Sequence, residues 1–111
     1  MTHETRARLA GKVAIITGGG GAMGGAQARL FAAEGSAVTV ADNRLDAAEE
    51  VAAEIRKAGG KAIAFEIDVR SADSWAEIVA KTESEFGPVS LLCNNAGANF
   101  RVSFEEQTEE Q

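Results

Sequence analysis

The stretch that most constrains this chain runs from Lys12 to Gly25, K-V-A-I-I-T-G-G-G-G-A-M-G-G. Residues 13–16 form a short, β-branched apolar run bounded by punctuation, the pattern of a strand covered on both faces of a parallel sheet. Gly18 to Gly21 then let the backbone turn tightly and approach a ligand, because no Cβ stands in the way. Ala26, Leu30 and Phe31 follow at helical spacing, and Gly35 supplies the stop. A helix that opens at such a turn aims unpaired N–H groups and its positive dipole end at the space above the strand. That space suits a pyrophosphate.

Taken alone, a G-x-G-x-x-G triplet (Gly19, Gly21 and Gly24) is a weak signal, since glycine-rich turns also serve as plain linkers. Its context strengthens it. A strand precedes and a helix follows, and Asp42 stands past Gly24 at close to the roughly 20-residue spacing of a ribose-binding acid. The residues therefore favour a dinucleotide site over a merely structural turn.

At 111 residues the chain makes one domain, and its 45% hydrophobic and 25% charged content is that of a soluble globular protein. A net charge of −6 speaks against nucleic-acid or anionic-membrane partners. The one cysteine, Cys93, excludes an internal disulfide and a cysteine-based metal site, and no metal site is expected. It lies in the apolar run 89–93, where it reads as a buried, unreactive thiol. Residues 1–11 are a polar, mixed-charge lead in which His3 reads as a solvated tail residue. They hold no apolar core of signal-peptide length, and no later stretch is long enough to span a bilayer. The cytoplasm is the default location.

Further along, residues 37–41 (A-V-T-V-A) form a second apolar run ending at Asp42. Asn43 is the candidate cap of a helix with Leu45, Ala48, Ala52 and Ile55 on one face, closed by Gly59 and Gly60. Residues 61–67 form the third strand, with Asp68 at its carboxyl end. Ser71 caps the next helix, whose apolar members are Trp75, Ile78, Val79 and Phe86, and Gly87-Pro88 stops it. The fourth strand covers 89–93 and leads into Asn94, Asn95, Ala96 and Gly97. Strands alternating with helices of this length imply parallel pairing through right-handed crossovers, a doubly wound α/β sheet. Ligands bind beyond the carboxyl ends of such strands. The glycine turn, Asp42, Asp68 and residues 94–97 all stand there; each alone reads as a turn or cap, but together they converge on one crevice.

These residues resemble the short-chain dehydrogenase/reductase family over nearly the whole chain, from about Leu9 onward. T-G-G-G-G-A-M-G at 17–24 is similar to its cofactor turn, Asp42 to its ribose-binding acid, Asp68-Val69 to its adenine contact, and N-N-A-G at 94–97 to its fourth-strand motif. The resemblance implies a Rossmann-like sheet, here truncated after the fourth strand, so that residues 1–111 are a single incomplete NAD(P)-binding domain. It places Gly18, Gly21, Met23 and Gly24 around the pyrophosphate, Asp42 on the adenosine ribose, and Asp68 and Val69 beside the adenine. Asn95, Ala96 and Gly97 would line the path to the nicotinamide, and Asn94 would tie strands together. A carboxylate at 42 implies NAD, because it would repel a 2′-phosphate; nearby Arg44 keeps NADP as the weaker alternative.

Two departures stand out. Ala22 occupies a position where the family commonly has glycine, so its methyl is expected to bear on cofactor affinity and not on fold. The family's proton relay uses Tyr-x-x-x-Lys with an upstream Ser, and this chain contains no Tyr; no catalytic residue is assigned. Thr108 and Gln111 resemble a capping box at a helix just beginning, the sign of a chain cut short, against the alternative of a plain acidic tail over 105–111. The resemblance implies hydride transfer between a nicotinamide and a small-molecule alcohol or ketone by a homo-oligomeric full-length protein. This chain alone is expected to be inactive and prone to aggregate along an open fourth-strand edge. The competing readings are a complete, non-catalytic nucleotide-binding or regulatory module, and an unfolded remnant.

Overall fold

The computed structural model describes residues 8–95. Seven elements alternate along them: β1 (Val13–Thr17), α1 (Ala22–Ala33), β2 (Ala37–Asp42), α2 (Leu45–Lys57), β3 (Lys61–Glu66), α3 (Ala72–Phe86) and β4 (Leu91–Asn94). The strands form one parallel sheet in the order β3-β2-β1-β4, so the order reverses beside β1. The register levels the carboxyl ends: Thr17 is opposite Ala41 on one side and Asn94 on the other, and Asp42 is opposite Glu66. The expected segments at strand ends are thereby brought side by side, except Ala96 and Gly97, which lie outside the described residues, as do His3, Thr108 and Gln111.

The alternation of β1 explains its burial. Ala14 and Ile16 face α1 and α2 with Val38, Val40, Ala48, Val51, Ala52 and Ile55, while Ile15 joins Ala41, Ile67 and Ile78 under α3. Each such large side chain contributes ~1.5–3 kcal/mol on leaving water. β1 is buried throughout, and β4 is half-buried. Burial there pushes the Cys93 thiol above its ordinary 9.0. Among the described residues no helix is long and apolar enough to cross a membrane.

Several local expectations are corrected: Leu45 is 45% exposed although its spacing predicts the contact face of α2, and β4 begins at Leu91, two residues later than expected. Of the spaced residues Ala26, Leu30 and Phe31, only Phe31 packs partly against the core; Leu30 is 57% exposed, and the residues α1 buries are Gly24, Gly25 and Ala28. At Gly24 the helix sits directly against the backbone of the turn, which leaves no room there for a side chain. Asn43 is not the cap of α2: Arg44 occupies that position without a side-chain bond, and its N–H instead donates to Asp42 Oδ1 at 3.0 Å. In α3, Val79 is partly exposed and Thr82 is buried in the stripe, its hydroxyl 2.8 Å from that of Thr39. Ser71 does cap α3, accepting from the Ser74 N–H at 3.2 Å.

Candidate functional site

Above the carboxyl ends of the strands lies a cleft of ≈ 820 Å³. Its walls include Gly18, Gly21, Asp42, Asp68, Val69 and Asn95 from the expected set, joined by Asn43, Glu66, Ile67, Arg70 and Ser74. Met23 and Gly24 do not line it. Met23 is 66% exposed at the second position of α1, and Gly24 is buried against the turn.

The glycines of the turn serve different ends. Gly18 has φ +66°, a left-handed conformation that side chains disfavour. A Cβ on Gly24 would collide with the carbonyl oxygen of Gly18, so this glycine lets α1 sit against the turn. Gly21 is another matter: a Cβ there would meet only the Gly18 carbonyl at an ordinary 3.5 Å, so the fold has room for a side chain. The room that glycine leaves at 21 opens into the cleft. Gly21 is also the N-cap of α1, with no side-chain cap, and the first turn carries no acidic residue. The end of the helix therefore keeps its positive potential for an external anion. Ala22 is the first helical residue, exposed and outside the cleft wall.

Asp42 is fixed from both sides. Gly20 N–H donates to Oδ2 at 3.0 Å and Arg44 N–H to Oδ1 at 3.0 Å, linking the glycine turn to the start of α2. The Arg44 guanidinium points elsewhere, 3.8 Å from Asp46. Beyond β3, Ser74 Oγ accepts from Asp68 N–H at 3.0 Å, and Trp75 Nε1 donates to the Val69 carbonyl at 3.0 Å. Arg70, through its backbone N–H and then its guanidinium, holds the Asp68 carboxyl below its ordinary 3.8. At the other end of the cleft Thr17 is the hub: its hydroxyl donates to Asn94 Oδ1 at 2.7 Å and accepts from Asn95 N–H at 3.2 Å. Asn95 Nδ2 donates to Gln27 Oε1 at 2.7 Å.

Sequence reasoning missed Ser74, Arg70 and Gln27. Ser74 carries a faint signal, standing at the third position after a capping serine. Gln27 carries none, because its partner is far along the chain. Among the described residues no group of three His, Cys, Asp or Glu side chains is placed to hold a metal ion.

A parallel sheet with helices between its strands, a glycine turn at its reversal point and a fixed acid at the next strand end defines a doubly wound, Rossmann-like α/β protein. The family model for short chain dehydrogenases matches residues 12–111, and the chain belongs to that family. It is 46% identical over 101 residues to the 2,5-dichloro-2,5-cyclohexadiene-1,4-diol dehydrogenase of Sphingobium indicum, a match covering 91% of this chain and 40% of that protein. It is 40% identical over 97 residues to the 7alpha-hydroxysteroid dehydrogenase of Escherichia coli, covering 87% of this chain and 38% of the relative. A solved 7alpha-hydroxysteroid dehydrogenase in complex with NADH and 7-oxo glycochenodeoxycholic acid superposes with TM-score 0.75 at 39% identity, over 79% of this chain and 34% of that one. The chain thus spans about 40% of the length of the first of these relatives.

Proposed function

We propose that this chain is the cofactor-holding part of an NAD-dependent oxidoreductase acting on a small-molecule alcohol or ketone. Asp42 carries the reading. Each of its oxygens accepts one backbone N–H, which leaves about two of a carboxylate's four acceptor positions for the two hydroxyls of a ribose. The same charge repels a 2′-phosphate, which favours NAD over NADP. The support from relatives is of the same kind: the solved dehydrogenase with NADH is similar over most of this chain.

In this reading the pyrophosphate rests on the uncapped end of α1, against Gly18 and Gly21, with Met23 beside it and Gly24 holding the helix down. The adenine lies against Asp68 and Val69. The nicotinamide half extends past β4, by Asn95 and by Ala96 and Gly97, the last two outside the described residues. Bound NAD supplies the hydride chemistry; the residues of this chain bind and orient it. None is assigned a catalytic role. Asp42→Ala should weaken NAD by about tenfold or more, the worth of charged hydrogen bonds, and change NADP far less, as read by calorimetric titration of both cofactors. Equal losses for the two cofactors would overturn the ribose assignment.

A further inference from the structure

Gln27 sits on α1 three residues after Gly24, on the flank of the helix nearest β4. Because Gly24 lets α1 lie against the turn, a side chain at 27 reaches over the end of β1 to the residue that leaves β4. That residue, Asn95, has its backbone N–H already held by Thr17, through the carbonyl at 3.2 Å and the hydroxyl at 3.2 Å. The bond from Asn95 Nδ2 to Gln27 Oε1 at 2.7 Å fixes the side chain as well. Asn95 also lines the cleft, on the side of β1 away from Asp42. With one of its two amino N–H groups engaged by Gln27, the carboxamide is held in one orientation, and its carbonyl oxygen, the group's acceptor, is left to serve a ligand.

We infer that Gln27 is a positioning residue for the second nucleoside of the dinucleotide: it holds the Asn95 carboxamide so that Oδ1 is offered to a hydrogen-bond donor on the nicotinamide half. The inference rests on the dinucleotide reading above. It adds a demand that no glycine motif makes, that position 27 be an acceptor. Glutamate meets that demand and methionine, of similar length and helix preference, does not.

The test is the ratio of the dissociation constants for NAD and AMP, since AMP occupies only the adenosine side. Gln27→Met should raise that ratio about 3- to 10-fold, the worth of one hydrogen bond, with AMP affinity unchanged. Gln27→Glu should bring the ratio back to within about twofold of the parent, whatever its charge does to both ligands. Parallel losses of AMP and NAD affinity in Gln27→Met would mean a structural role and overturn the inference, as would an unchanged ratio. Failure of the unmodified chain to bind NAD at all would overturn the dinucleotide reading itself, a result distinct from either.

Discussion

At the scale of single residues, Gly21 and Gly24 look alike in the sequence, two letters of one motif. They differ in what a methyl would meet. At Gly24 it strikes the Gly18 backbone, so Gly24→Ala should lower stability by ~1–3 kcal/mol, the usual toll of overpacking. At Gly21 it meets nothing closer than 3.5 Å and the backbone is extended, so Gly21→Ala should cost no more than about 1 kcal/mol, from the poorer N-cap. It should nonetheless weaken NAD about tenfold or more, as an added methyl does in a close-fitting site. Thermal melts and cofactor titrations of the two variants check the contrast. The reverse pattern, with Gly21→Ala the less stable and Gly24→Ala the weaker binder, would contradict the division of labour. The place of Asp42 was legible because it ends the apolar run of β2, level with the glycine turn. Its two backbone donors were not, since nothing in the letters shows where the Gly20 and Arg44 amides point.

At the scale of elements, helix faces were read less well than strands. The apolar runs of β1 and β2 announce burial on both sides, and they are buried. α1 misled because its fully buried residues are glycine and alanine, which carry little hydrophobic signal, while Leu30 advertises a core position it does not take and Phe31 packs only partly. Thr82 is a position that the apolar spacing of α3 does not single out, yet it is buried against Thr39 of β2. That pair makes a sharp test. Thr82→Val leaves the Thr39 hydroxyl buried without a partner and should cost ~1–3 kcal/mol. Adding Thr39→Val removes both hydroxyls, and the double variant should recover most of the loss in a denaturant titration. Additive losses would mean that the two hydroxyls do not depend on each other.

At the scale of the whole molecule, the order of elements alone leads to the parallel sheet, and the sheet register explains why residues far apart in sequence share one cleft. Among the described residues the outer edge of β4 has no partner strand, and residues 96–111 fall outside what the structure describes. The sequence carries the cleft's floor more plainly than its far wall. The glycine turn and Asp42 are local to one strand–helix–strand unit, whereas the Thr17–Asn94 and Gln27–Asn95 bonds join segments nearly seventy residues apart or more. Occupation of this cleft by a nicotinamide dinucleotide has a built-in reporter. Trp75 is the chain's single tryptophan, and its indole donates to the carbonyl of Val69, a residue of the cleft wall. Its emission overlaps the absorption of a reduced nicotinamide, so titration with NADH under tryptophan excitation reads occupancy directly. The expected result is saturable quenching of Trp75 with sensitised nicotinamide emission, displaced by NAD and by AMP and much weakened in Asp42→Ala. A folded chain that gives no saturable transfer, or transfer that NAD does not displace, would mean that the cleft does not take the dinucleotide.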